Sequence, residues 1–332
     1  MSVQKGSIRL GIAKESAEGT AETAPAYVFG LESGGVNVAV AQEPDDLTSG
    51  QRTTSTVFRG DAETGAEFMG RANHASIGLI AYGALGGLAT TGSTPTWTHT
   101  ITLANALPAF TIFEGIVDGA GIDVPRIAGA KFDSLTFEWE GNNPLKVSGS
   151  LKGRALTFGA SMTASITDET GLTTNYIPAG GTFKYDVDSA TVAEACIKSG
   201  RITLTNNLTP DFCAGTVTAG GVSEGWHVAE CAFTTTPADI DEWRTIITGT
   251  AGGTGIAASP VYGSFEFVFK TSANANHLLK LEGLKVAYMC DLPQAEAGGG
   301  AAEVELAGAC LLPSGAGASP VKITVLNGTA SY

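Results

Sequence analysis

The sequence predicts a mainly β protein made of two similar domains, each a β-sandwich or barrel with an α-helix on its flank. Three observations lead there. Glycine supplies 44 of 332 residues and charged residues only 16%, while 43% are hydrophobic, a composition suited to many short strands joined by tight turns. Alternation of apolar and polar residues recurs along the chain and is cleanest at residues 130–154, AKFDSLTFEWEGNNPLKVSGSLKGR. The order strand, helix, strand, strand occurs twice, with a long polar loop ahead of each helix-bearing unit. That order points to an internal duplication with domains at 1–175 and 176–332. Charge divides the same way: 11 basic and 18 acidic residues up to Asn175 give -7, and 8 basic and 15 acidic residues after it give -7 again.

Taken in order, residues 7–13 (SIRLGIA) read as a strand, followed by the polar stretch KESAEGTAETAP ending at Pro25. Strands are expected at 27–31 and 36–41. Residues 42–61, QEPDDLTSGQRTTSTVFRGD, form a polar segment of about 20 residues, and loops that long inside a compact domain are usually functional or disordered. Asp45, Asp46, Arg52 and Arg59 in it are candidates for contacts with another subunit. After a strand at 65–69, Asn73 can cap a helix running to Gly86, with Ile77, Ile80, Ala81, Ala84 and Leu85 spaced to make one buried face. Strand character returns at 97–103 (WTHTITL) and 109–114 (AFTIFE).

In the 130–154 stretch Leu135, Phe137 and Trp139 share one parity, and Thr136, Glu138 and Glu140 the other. A strand sends alternate side chains to opposite faces, so the first set is core and the second faces water. Gly141, Asn142, Asn143 and Pro144 make the turn, and Leu145, Val147 and Leu151 return on the core side against Lys146, Ser148 and Ser150. Acidic residues on the outgoing strand and a lysine on the returning one suit cross-strand pairing.

The second half offers strands at 182–187 and 200–206 (GRITLTN), then a glycine-rich loop at 207–225 that holds Asp211 and Glu224, two further contact candidates. A strand at 227–235 leads to Thr236, Pro237 and Asp239 at the start of a second helix. Ile240, Trp243, Ile246 and Ile247 form its buried face, and Gly249 its stop. Residues 262–270 (YGSFEFVFK) set Phe265, Phe267 and Phe269 against Glu266 and Lys270. A long strand at 278–289 has a bulge site near Gly283, and two more strands follow at 303–313 and 321–327.

Chemistry is sparse. Of His74, His99, His227 and His277 only His227 has possible ligands within four residues, Glu230 and Cys231 in an expected strand, and P-loop and HExxH motifs are missing. Asp186 and Asp188 lack the rest of a calcium loop. Glu138 and Glu140 could pair as glycosidase acids, but carboxylates two apart on an outer strand face are ordinarily just solvated. No enzyme activity, metal or cofactor is expected. The five cysteines have no CxxC spacing and read as reduced, mostly buried thiols. No apolar signal core and no membrane-length apolar run occur, so folding in a cytoplasm is expected. The formal net charge of -14 argues against gripping nucleic acid through its phosphates, yet suits a channel along which DNA slides without sticking.

The opening IAKESAEGTAETAP, the segment PAFTIFEG leading into KFDSLTFEWEGNNPLKVSGSLKGR, and SGRITLTNNL, in that order, resemble the major tail tube proteins of long-tailed bacteriophages. The shared pattern is an early strand with a polar, acid and Gly-Thr segment, a middle strand-turn-strand, and a later strand ending in Asn-Asn. The resemblance spans roughly residues 8–327. It implies a structural virion protein whose β-sandwich subunits close into rings and stack into a hollow tail tube that conducts DNA during ejection. Thr136, Glu138, Glu140 and Glu266 then become candidate lumen-facing residues. The loops at 42–61 and 207–225 become candidate ring-to-ring contacts.

Simple tube proteins use one such domain in six-membered rings. With two domains per chain a trimer would make a pseudo-sixfold ring and is favoured over a hexamer whose second half decorates the outside. The resemblance further implies tape-measure, tail terminator and distal tail proteins as partners, no membrane, assembly in the host cytoplasm and a final place in the virion tail. A different tail ring or baseplate protein, or a virion surface adhesin, would use similar sandwiches. A secreted carbohydrate-active enzyme is a rival that the missing signal segment disfavours.

Overall fold

The computed structural model describes residues 8–28, 31–44, 57–117, 122–158, 174–188, 193–236, 241–271, 277–290, 303–315 and 318–332. Up to Asn175 the elements are β1 (Ile8–Lys14), β2 (Tyr27–Val28), β3 (Leu31–Pro44), β4 (Val57–Arg71), α1 (Ile77–Leu85), β5 (Gly86–Ser93), β6 (Thr96–Leu103), β7 (Phe110–Val117), β8 (Ile122–Asp123), β9 (Arg126–Glu140), β10 (Lys146–Gly153) and β11 (Ala155–Thr157). Then come β12 (Tyr176–Asp186), β13 (Ala193–Glu194), β14 (Ile197–Thr205), β15 (Thr209–Asp211), β16 (Gly221–Ser223), β17 (Val228–Thr235), α2 (Asp241–Thr248), β18 (Tyr262–Thr271), β19 (Leu278–Cys290), β20 (Val304–Cys310) and β21 (Val321–Asn327). The chain is mainly β, and every pairing between these strands is antiparallel.

β9 is the hub. Its first residues pair with β7 and β11, its middle with β10, and Ser134 to Glu140 with β14. The β9–β10 register shifts at Ser150/Leu151, where Asp133 is the extra residue in β9. The result is a ribbon in the order β3, β4, β10, β9, β14, β17, β20, β19, β18, β12. β19 also carries β21, which pairs with β6. Strands from both sides of Asn175 thus share one sheet, and one hydrophobic cluster runs through both.

The alternating stretch folds as its pattern dictates. Leu135, Phe137, Trp139, Leu145, Val147 and Leu151 are buried, Glu138 and Glu140 are exposed, and Lys146 lies opposite Glu138. Phe265, Phe267 and Phe269 are buried, and the β18–β19 register shifts beside Gly283. Three expectations need correction. Residues 42–44 and 57–61, expected as loop, extend β3 and β4. Their alternation is hidden because both faces of this arm meet water, as Val57 and Phe58 do at 60% and 62% exposure. The glycine-rich loop after β14 holds the small hairpin β15–β16. Gly86 to Ser93, which has no apolar alternation, is a strand because β6 pairs with it along its length.

Helix α1 starts later than expected. Asn73 organises the preceding turn, its Oδ1 accepting from Ala75 N–H at 2.8 Å and its carbonyl from Ile77 N–H at 3.1 Å, with Ser76 at the cap. Burial reaches nearly all round the helix instead of one face, Tyr82 alone being half-buried. Gly86 ends it at φ 83°, the left-handed conformation that glycine adopts without strain. In α2, Trp243 and Thr245 are buried while Ile246 and Ile247 are half-buried; Pro237, Asp239 and Ile240 lie outside the described residues. The thiols are less buried than expected: Cys231 and Cys310 are buried, Cys290 half-buried, and Cys196 and Cys213 exposed.

The joint between β9 and β14 is sealed by Trp139, whose ring lies 5.3 Å from Phe267, 5.3 Å from Phe269 and 6.0 Å from Phe183. Gly200 faces it across the ladder, where a Cβ would stand 2.3 Å from the indole. Gly200→Ala should therefore lower the unfolding free energy by about 1–3 kcal/mol, the usual range for overpacking. Urea denaturation followed by tryptophan fluorescence measures it, with Gly252→Ala, where a Cβ meets nothing within 4 Å, as the neutral control. Equal midpoints for the two variants would contradict this packing.

Candidate functional site

Strand alternation places a polar surface on the outer face of the ribbon from β4 to β20. One row across it reads Arg71, Lys146, Glu138, Arg201, and the next Met69, Ser148, Thr136, Thr203, Glu230. Ser134 and Ser150 bond through their hydroxyls at 2.7 Å, and Thr136 donates to Thr203 at 3.3 Å. Arg71 Nε stands 3.2 Å from Glu32, an exposed pair of little energetic weight. Shallow grooves flank Glu138 and Glu140, one with Arg71 and Lys146, the other with Arg201 and Glu305. The face is hydrated, ionic and rich in hydroxyls, and among the described residues no cluster of three or more metal-ligating side chains forms.

Thr136, Glu138 and Glu140 therefore lie together on this face. Glu266 does not. It sits on β18 opposite Glu282, with Lys280 at 3.4 Å, in a separate ladder where Lys280 and Lys322 hold the buried Glu282 at 3.0 and 2.9 Å.

The contact candidates divide as well. Asp45, Asp46 and Arg52 lie outside the described residues. Arg59 is exposed on the β3–β4 arm, opposite Gln42. Asp211 accepts from the Ser223 hydroxyl within the β15–β16 hairpin. Glu224 faces inward to Lys131 at 2.8 Å.

That lysine is a structural residue that sequence reasoning missed. Lys131 is 5% exposed and also reaches Glu18 at 2.9 Å and the Val222 carbonyl at 3.0 Å, latching the polar segment after β1 and the β16 loop onto β9. Burial opposes its charge, but the Glu224 and Glu18 carboxylates outweigh that and hold its pKa above the ordinary lysine value. Burial likewise opposes the Glu224 charge, and the Lys131 hydrogen bond overrides it to lower the Glu224 pKa. Glu15, also buried, accepts from Gly19 N–H at 2.6 Å and from the Thr111 hydroxyl and Gly129 N–H at 2.8 Å each. The acid and Gly-Thr pattern after β1 thus has a structural role: Glu15 folds the segment back and Glu18 clamps it. Neighbouring contacts pin the 207–225 loop, with Lys152 donating to the Leu208 carbonyl and Asp133 accepting from Leu208 N–H, both at 2.7 Å. The Val217 carbonyl accepts from Ala62 N–H at 2.8 Å, at the base of the arm.

A family model described as phage tail tube protein matches residues 7–316. No curated protein matches the sequence.

Removing one partner of a buried ion pair costs about 3–5 kcal/mol. Glu18 and Glu224 are a third exposed, so Lys131→Ala should cost about 2 kcal/mol at pH 7. The lowered Glu224 pKa makes its contribution complete above the unfolded value of about 4.3 and drains it as pH falls through the lower folded value. The raised Lys131 pKa keeps its contribution complete below about 10.4 and drains it at higher pH. The gap between wild type and variant in urea unfolding should be widest from about pH 5 to 10 and close under strong acid. A gap that stays constant down to pH 3 would remove the latch from the account.

Proposed function

The chain belongs to the phage tail tube protein family, and from that premise we propose that its copies close into rings, that the rings stack into a hollow tube, and that double-stranded DNA passes through it during ejection. The observation that carries this reading is the recurrence of one pairing scheme. The pairings β1–β2, β1–β7, β3–β4, β4–β10, β7–β9, β9–β10 and β9–β11 are matched in order by β12–β13, β12–β18, β14–β17, β17–β20, β18–β19, β19–β20 and β19–β21. A helix follows β4 and another follows β17. A register shift recurs too, just before Ser33-Gly34 in β3 and just before Ser199-Gly200 in β14. This supports two duplicated units, 1–175 and 176–332, with the β5–β6 hairpin added to the first.

Three chains would then bring six units to a pseudo-sixfold ring. The pairing of β14 with β9 favours this count, because it makes the two units neighbours along one sheet instead of placing the second outside the first. The polar face bearing Thr136, Glu138 and Glu140 is the proposed lumen lining. Its carboxylates, Glu138, Glu140 and Glu230, offset the pull of Arg71, Lys146 and Arg201 on phosphate, and its hydroxyls stay hydrated, so DNA slides instead of adhering. The β3–β4 arm, with Arg59 on its stem and Val57 and Phe58 exposed, is the proposed ring-to-ring contact. Tape-measure, terminator and distal tail proteins would meet the lumen and the two ends of such a tube, with assembly in the host cytoplasm.

Negative-stain electron microscopy of the purified chain tests this. Hollow tubes with a regular axial repeat are expected, and more of them as salt rises to about 0.15 M, where screening shortens the reach of subunit repulsion to about 8 Å. A variant lacking residues 46–54 should keep its circular dichroism spectrum and form no tubes. Isolated rings from the wild-type chain would indicate a baseplate or terminator role, and normal tubes from the deletion variant would rule out the arm as the stacking contact.

A further inference from the structure

The joint between β9 and β14 inside one chain also specifies, residue by residue, the joint between chains, if the ring reading above is right. We propose that the end of β19 in one copy pairs antiparallel with β3 of the next, with Cys290 opposite Val38 and Met289 opposite Ala39. The register follows from the repeated pairings. Ser33 follows its bulge in β3 as Ser199 does in β14, and Gly34 and Gly200 then face Phe68 and Phe233. Counting along both strands makes Val38 equivalent to Leu204 and Ala39 to Thr205. From Phe68 the ladder crosses to Gly149 and then Leu135, and from Phe233 to Leu306 and then Cys290. One residue along, Ser150 faces Ser134, and Ala307 faces Met289. Within the chain Leu135 lies opposite Leu204 and Ser134 opposite Thr205. The same joint between copies sets Cys290 against Val38 and Met289 against Ala39.

Three further observations fit. Leu135 and Leu204 are buried at 0% and 1% exposure, whereas their counterparts Cys290 and Val38 are half-buried and 42% exposed, the condition expected of apolar residues at an unmade joint. β18 runs beside β19 only as far as the Tyr262–Ala287 pair, so it does not cover the end of β19, just as the β7–β9 pairs, the last being Phe110–Ala130, stop short of Ser134. Among the described strands β3 pairs only with β4 and offers a 14-residue edge. The Val36 N–H on that edge donates to the Glu114 carboxylate. Val38, two residues on, presents its N–H and carbonyl to the same side. A second copy is the occupant because the chain already holds both halves of the contact. A pair exchanging both backbone hydrogen bonds has Cα atoms about 5.5 Å apart, within disulfide reach.

The test is cross-linking of assembled protein in a background where the exposed thiols are removed by Cys196→Ser and Cys213→Ser. Val38→Cys is added and the tubes are treated with diamide, which oxidises the two thiols to a disulfide and is itself reduced to the hydrazine. Most of the chain should shift to covalent dimer and trimer on a non-reducing gel, and Cys290→Ser should abolish the shift. Ala39→Cys with Met289→Cys, one residue along and on the opposite face, should cross-link equally well, which covers the case in which Val38→Cys impairs folding. Ala39→Cys with the native Cys290 should not, since the two side chains point to opposite faces. Tubes in which neither matched pair cross-links, or in which the mismatched pair does so better, would overturn the register while leaving the tube reading intact. A wild-type chain that forms neither rings nor tubes would overturn both.

Discussion

A strand in a buried sheet must satisfy its backbone along both edges, and the way β9 and β14 meet this constraint shapes the whole molecule. β9 gives one edge to β10 and, from Ser134 onward, the other to β14, which in turn is closed by β17. The edge that β9 would otherwise leave open is thus covered by β14. Phe137 lies opposite Ile202, and Trp139 enters an aromatic cluster made by Phe183, Phe267 and Phe269, so the hydrogen-bonded joint is also a packed one.

The same strand carries the polar clamps. Lys131, a few residues before the joint, draws together Glu18 from the segment after β1 and Glu224 from the loop after β16, segments far apart in sequence. On the duplicated reading proposed above, the two units differ where their schemes match. In the first, the β3–β4 hairpin extends into an exposed arm; in the second, the corresponding connection folds back over β9 and β10 and is pinned by Lys131, Lys152 and Asp133. The 207–225 loop thereby braces the base of the β3–β4 arm through Ala62 and Val217.

Alternation was readable wherever one face of a strand is core and the other is water, as in β9, β10 and β18, and helix ends were readable at Gly86 and Gly249, both with positive φ. Legibility failed where that contrast disappears. The arm residues 57–61 meet water on most of their surface, and β5 owes its pairing to β6 and not to its own Gly-Gly-Leu-Ala-Thr-Thr pattern. The far side of α1 is covered by the chain terminus, with Tyr332 against Gly78, a contact between residues too distant in sequence for periodicity to register. Of the candidate lining, Thr136, Glu138 and Glu140 were grouped by parity alone, whereas Glu266 shares their parity pattern but lies in a different ladder, which only strand order reveals. Lys131 was invisible because its partners are 113 residues upstream and 93 downstream.

The account rests on one chain supplying two neighbouring units of a closed ring. Cryo-electron microscopy of the assembled tube, solved without imposed symmetry, measures that directly. Each ring should hold three 33.8 kDa chains and six similar units, with β9–β14 joints alternating with β19–β3 joints around a continuous sheet. Six chains per ring, with the second unit of each lying outside the sheet, would contradict it.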